Sequence, residues 1–189
     1  MVKVINISGK AMHGKDTTAQ YLKEYLESHN KKVVIIHFAD YLKFICRTYL
    51  GWNGEKDEAG RTLLQQIGTE KVRKQNPYFW VEQVRRLLDI FRDDWDYAII
   101  PDTRFPDELF DVCYDALHIR VKRLGFESPL TKEQQNHPSE CALDKYTPDI
   151  CIQNRTLEQL KKDTYYVGKL ILAHGTSLRG IRVEDGKVF

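Results

Sequence analysis

One stretch near the start of the chain narrows its folding options more than any other. The apolar run Val2-Lys3-Val4-Ile5-Asn6-Ile7 leads into Gly9-Lys10-Ala11-Met12-His13-Gly14-Lys15-Asp16-Thr17-Thr18, after which Ala19, Leu22 and Leu26 recur at helical spacing. This is G-x-x-x-x-G-K in a strand, loop, helix setting. Gly9 and Gly14 permit the positive φ angles that turn successive backbone N–H groups inward as an anion nest. The helix start adds partial positive charge, and Lys15 supplies a mobile point charge that can follow β- and γ-phosphates. A glycine-rich turn beside a solvated lysine is the plain alternative. The position after the first strand, the helix onset and the two threonines favour an ATP site made by Gly9, Lys10, His13, Gly14, Lys15, Asp16, Thr17 and Thr18. Where such loops commonly carry Ser or Thr directly after the lysine, Asp16 stands here and Thr17 follows. Two roles for Asp16 stay open: Mg²⁺ between it and the phosphates, directly or through water, or a turn away to a nearby cation while Thr17 meets a phosphate.

The rest of the chain suits a sheet around that loop. β-Branched runs at 2–8, 32–38, 97–101, 117–122 and 149–153 read as strands. Helical period fills 16–28, 41–50, 62–74 and Leu157 to Ala173, which Thr156 can cap. Trp80, Val84, Leu87, Leu88 and Phe91 fall on one face of a further helix. Alternation of this kind predicts an α/β fold of the P-loop NTPase type, with a five-stranded parallel sheet and helices on both faces. At 189 residues and 42% hydrophobic content, residues 1–189 are expected to form a single domain. The stretch 175–189 has strand-like pieces around Asp185-Gly186 and no assigned role.

Composition removes several function classes. Lys and Arg number 29 against 27 Asp and Glu, a net +2, so no field dominates that would draw nucleic acid or a membrane surface. Cys46, Cys113, Cys141 and Cys151 are scattered, without zinc spacing or a disulfide framework. The first apolar run is too short for a signal or membrane segment, and the expected location is the cytoplasm of a microbial cell or phage-infected host.

A second charged motif ends the third predicted strand: Ile99-Ile100-Pro101-Asp102-Thr103-Arg104-Phe105-Pro106-Asp107-Glu108. Open α/β sheets hold their ligands at such strand ends. Asp102 is a candidate acid reaching Mg²⁺ through water, and Arg104 a candidate bidentate phosphate clamp. A turn-capping Asp102 paired to Arg104 is the structural alternative. Between the fourth and fifth strands, residues 123–147 form a polar connection that reads as a lid. Arg120 and Arg123 stand at its entrance, suited to bring positive charge over a transferring group.

Taken together, GKAMHGKDT at 9–17, Phe38-Ala39-Asp40-x-Leu42-Lys43, Leu64-Gln65-x-x-Gly68-Thr69-Glu70, Asp102-Thr103-Arg104-Phe105-Pro106-x-Glu108 and His137-x-Ser139-Glu140 resemble the phage-type deoxynucleoside monophosphate kinases. The resemblance covers roughly residues 2–165. It implies a P-loop fold related to the nucleoside monophosphate kinases and phosphoryl transfer from ATP, with Mg²⁺, to a (deoxy)nucleoside monophosphate. Lys15, Asp102, Arg104 and Arg123 would be the catalytic groups, and Asp16, Thr17 and Asp102 the candidate metal contacts. The resemblance puts Asp40 and Lys43 on the acceptor side, with Arg61 and Arg73 approaching its phosphate from a helical insertion at about 40–95. Trp80, like Phe79, is either a base-stacking surface or core, and His137 and Glu140 match the motif on the substrate side. Tyr41, where the family often has Pro, and the short segment 50–62 depart from the pattern.

The expected partners are small-molecule nucleotides, with a homodimer left open. One rival reading is a kinase for another phosphorylated acceptor, since phosphomevalonate kinases also carry a GKD-type loop. Another is a nucleotide-hydrolysing switch, which leaves the Asp-Thr-Arg motif and the lid arginines without purpose.

Overall fold

The β-branched runs become strands and the helical-period segments connect them. The structure is a computed structural model that describes residues 2–55 and 57–189. The first half runs β1 (Lys3–Ser8), α1 (Lys15–Glu27), β2 (Val33–Ile35), α2 (Ala39–Tyr49), α3 (Glu58–Gln65) with a π-helical continuation Gln66–Arg73, and α4 (Phe79–Ile90). After these come β3 (Tyr97–Ile100), α5 (Pro106–Phe110), β4 (Leu117–Arg123), α6 (Lys132–Asn136) and α7 (Pro138–Cys141). The chain closes with β5 (Ile150–Asn154), α8 (Leu157–His174), β6 (Ile181–Glu184) and β7 (Lys187–Val188).

The sheet order is β2-β3-β1-β4-β5-β6-β7, and every pairing is parallel except β6 with β7. The sheet thus has seven strands, not the five expected from the sequence. The two extra strands come from the stretch after Gly175, where β6 extends the parallel sheet beside β5 and turns back into β7. Asp185 and Gly186 both have positive φ, at 58° and 72°, as a tight hairpin requires. The Asp163 carboxylate on α8 accepts from the N–H groups of Asp185 (3.2 Å) and Gly186, fixing the turn. Strands of four and two residues are too short to show a pattern on their own; pairing with β5 makes them strands.

Alternation along the strands sends side chains to two cores. Ile5, Ile7, Ile99, Ile119 and Ile152 pack against Leu22 and Leu26 of α1 and Leu160, Val167 and Ile171 of α8. On the opposite face Val4, Ala98 and Ile100 meet Leu42 of α2 and Trp80, Val84 and Leu88 of α4. Helices therefore cover both faces, as burial of both faces of a parallel sheet demands.

Register brings the site together. Ile35 lies beside Ile99, Asn6 beside Ile100 and Ser8 beside Arg120, so the loops after β1, β2 and β3 leave the sheet at one edge. Beneath that edge, Ser8 Oγ meets His118 Nε2 at 2.7 Å, and the Asn6 amide bonds Leu109 O and Thr103 Oγ1 at 3.3 Å each. The first of these buried pairings ties the base of the first loop to β4, and the others tie it to the segment after β3. The connection from β4 to β5 carries α6 and α7 across the mouth of the same edge.

Candidate active site

The loop after β1 takes the conformation its glycines allow. Gly9, Met12 and Gly14 have φ of 144°, 61° and 97°. A Cβ on Gly9 would come within 2.4 Å of the Val121 carbonyl oxygen, so the loop can pass over β4 only with glycine there. Gly14 starts α1 and no side chain caps it, which leaves the first N–H groups of a 13-residue helix for an anion. The residues present thus fit a polyphosphate. Lys15 is buried, and its Nζ donates to Lys10 O at 2.8 Å. Burial, and then the nearby Arg104, push its ammonium down to about 8.

Other loop residues are placed differently from the expectation. The Thr18 hydroxyl donates to Gly14 O at 2.8 Å inside a fully buried turn, a helix contact rather than an outward-facing one. Thr17 is half-buried at the helix start. The Lys10 ammonium points to α7 and beyond, bonding Glu140 O and Asp144 at 2.6 Å. His13 Nδ1 accepts the Arg123 N–H at 3.3 Å, and the Arg123 guanidinium lies over the Phe126 ring at 4.4 Å. Arg120 donates to Leu143 O at 2.6 Å.

Facing the loop is a cleft of about 380 Å³, within the range of small-molecule sites. Lys15, Asp16, Lys43, Arg61, Arg73, Trp80, Asp102, Arg104 and Glu140 line it, so the structure brings these sequence candidates together. The partners of several differ from those expected. Asp102 accepts from the N–H groups of Phe38 and Ala39, both at 3.0 Å, and so holds the start of α2 rather than pairing with Arg104. Arg104 instead pairs with Glu140 and donates to Ser139 O at 2.8 Å. Arg73, expected to approach an acceptor phosphate, has its guanidinium committed to Asp107 and Glu108, with Phe105 stacked at 4.0 Å. Two carboxylates sequestered from water outcompete solvent for that charge, and the Arg73 side chain is only 10% exposed.

Trp80 is core. It is 4% exposed, donates its indole N–H to Gly68 O at 3.0 Å and meets Phe79 edge to face, so it forms a wall rather than a stacking surface. His137 turns onto α7, where its Nδ1 accepts the Ser139 N–H at 3.2 Å.

Two residues to which the sequence reading assigned no role hold this bank together. His37, at the end of the second apolar run, stands between Asp16 (Nε2 to Oδ1, 3.1 Å) and Asp40 (Nδ1 to Oδ2, 3.4 Å), while Lys43 pairs with Asp40 at 3.1 Å. Its bonds to Asp16 and then Asp40 raise the imidazole to about 9 against burial, so it is a cation at neutral pH. Asp16 thus has His37 beside it, and both of its readings stay open. Glu108 accepts the backbone N–H groups of Arg104 (2.7 Å) and Phe105 (3.1 Å) and pairs with Arg73. Burial outweighs Arg73 and the Arg104 N–H and raises its carboxyl to about 8, while its bonds from Arg73, Arg104 and Phe105 are all accepted. Its signal was the last position of the Asp-Thr-Arg-Phe-Pro-x-Glu motif.

A family model described as deoxynucleotide monophosphate kinase matches residues 24–164, most of the chain but not the loop after β1. No curated protein matches by sequence. The chain is similar to a solved structure of the Mycobacterium tuberculosis APS kinase CysC Cys556Ala mutant, at 12% identity over 91% of this chain and 95% of that one, TM-score 0.42. Similar again are pnob8 ParA, 16% identical over 94% and 74% (TM-score 0.45), and cobyrinic acid a,c-diamide synthase from Mycobacterium smegmatis with bound ADP and magnesium. The last is 15% identical over 94% of this chain and 84% of that one, TM-score 0.45.

Proposed function

The chain belongs to the deoxynucleotide monophosphate kinase family, and we propose that it transfers the γ-phosphoryl group of ATP to a (deoxy)nucleoside monophosphate, giving ADP and the diphosphate. The observation that carries this reading is the facing of an uncapped, left-handed loop bearing Lys15 by Arg104 and Lys43 across one cleft. The loop is suited to the β- and γ-phosphates. The opposite bank, with Lys43 and Arg61, is suited to an acceptor that carries its own phosphate.

In the transfer, an acceptor phosphate oxygen attacks the γ-phosphorus, the bond to the bridging oxygen breaks, and its electron pair leaves with ADP. The transition state spreads charge over the equatorial oxygens, so catalysis is alignment and neutralisation without a covalent enzyme intermediate. Lys15 and Arg104 supply that neutralisation, and Glu108 positions Arg104 through its backbone. Asp16, Thr17 and Asp102 would hold Mg²⁺, which supplies charge neutralisation across the phosphates. Among the described residues no cluster of three His, Cys, Asp or Glu side chains is arranged for a metal.

The test is coupled ADP release with a panel of ribo- and deoxynucleoside monophosphates. Release that depends on one of them is expected. Steady release that no acceptor accelerates would replace this reading with a hydrolysing switch.

A further inference from the structure

The donors suited to a transferring phosphoryl group converge on one of the protein's own side chains. Glu140 of α7 accepts the Ala11 loop N–H on Oε2 at 2.9 Å, and its Oε1 pairs with Arg104. The Glu140 side chain is 6% exposed. Burial works to raise its carboxyl, but Arg104, the Ala11 N–H and Lys15 outweigh it and hold it below the ordinary glutamate value. The segment is latched from outside as well, because Lys10 bonds both Glu140 O and the exposed Asp144 carboxylate. Leu130, Gln134 and Ser139 of the same connection line the cleft, so the segment that carries Glu140 forms part of its wall.

A carboxylate and a γ-phosphate cannot share these donors, since like charges at such separations repel strongly in a partly buried site. We propose that Glu140 determines specificity for the acceptor over water, by occupying the γ-phosphoryl position until an acceptor in the cleft displaces it. With ATP alone, the competent arrangement is then a minor population, and attack of water on the γ-phosphorus to give ADP and phosphate is suppressed. An acceptor phosphate draws Arg104 from Glu140 and moves α7, and its binding energy assembles the site. This inference rests on the function proposed above.

The experiment compares the full chain with Glu140→Gln, which keeps side-chain volume and the bond to Ala11 while removing the charge. ATP binding with Mg²⁺ is measured by calorimetry, and ADP release is measured with and without a mixture of the four deoxynucleoside monophosphates. The expected result is roughly tenfold tighter ATP binding without acceptor, and roughly tenfold faster acceptor-independent release. Asp144→Asn, which only loosens the latch, should move both the same way by a few-fold. Unchanged or slower acceptor-independent release in a Glu140→Gln protein that binds ATP overturns the proposal, because Glu140 then orients water or merely positions Arg104. If Glu140→Gln does not fold, an Asp144→Asn protein identical to the parent overturns it. A parent chain that fails to bind ATP removes the proposed function as well, and that outcome is read from the parent alone.

Discussion

The two banks of the cleft are built on different principles. The loop bank is ten consecutive residues whose backbone does the work: glycines at φ values few other residues adopt, helix N–H groups, and one lysine. The facing bank is assembled from side chains as far apart in sequence as His37 and Glu140, and what holds it is charge. Arg73 pairs with Asp107 and Glu108, Arg104 with Glu140, His37 with Asp16 and Asp40. The first bank should be sensitive to changes in backbone freedom and in Lys15, and otherwise tolerant. The second should fail collectively, because removing one partner leaves another charge buried and unpaired.

The strongest test of that contrast is Arg73→Met. It leaves Asp107 and the buried Glu108 without their cation and should lower stability by about 3–5 kcal/mol, a fall in Tm of roughly 10 °C in a thermal melt for a chain of this size. A drop of a degree or two would show that this bank does not depend on its ion pairs. Lys15→Ala comes next, and here the expectation is reversed. The protein should melt close to the parent temperature while turnover falls on the order of 10²-fold or more, about 3 kcal/mol of transition-state stabilisation. Near-normal turnover would detach the loop from ATP.

A smaller effect sharpens the backbone side of the comparison. Gly9→Ala forces a Cβ against the Val121 carbonyl at a φ of 144° and should cost about 1–3 kcal/mol of stability and weaken ATP binding. Gly125→Ala, at a φ of 67° with nothing within 4 Å, should cost about 1 kcal/mol and leave ATP binding unchanged. Equal effects on binding would mean that the close approach of loop and β4 is unimportant.

The gentlest probe is pH, because a histidine on each side is shifted in the opposite direction. His37 is raised to about 9, so its contribution to stability is complete below the ordinary value of 6.5 and is lost as pH rises through 9. His118, behind the loop and bonded to Ser8, is lowered to about 4 by burial and then by Arg120. The unfolded chain takes up that proton first, so stability falls as pH drops from 6.5 towards 4. Melts across pH 4.5 to 9.5 should show His37→Gln flattening the alkaline limb and His118→Gln the acid limb. Parallel curves for all three proteins would remove both assignments.

Legibility in the sequence followed the same divide. The strand and helix segments were readable because a period of two or 3.6 is a local property of consecutive residues, and the loop was readable because its glycines and lysine sit at a set spacing. The observed β1 to β5 and the longer helices lie within a few residues of the expected segments. β6 and β7 are legible only as strand-like pieces around Asp185-Gly186 with no place in the sheet, since four and two residues carry no period and exist through the edge that β5 offers them.

For the site, the sequence by itself determined which residue types stand where: the loop Gly9 to Thr18, the Asp102-Thr103-Arg104 turn at the end of a strand, and the His137-x-Ser139-Glu140 segment in a polar connection. Only the tertiary structure decided who faces whom. It turned Arg104 to Glu140 and not Asp102, withdrew Arg73 into a pair with Asp107 and Glu108, and set His37 between Asp16 and Asp40. The physical reason is that a backbone conformation is chosen by the few residues that make it. A charge settles on whichever opposite charge the fold brings within a few ångströms and shields from water, and that neighbour can come from a hundred residues away.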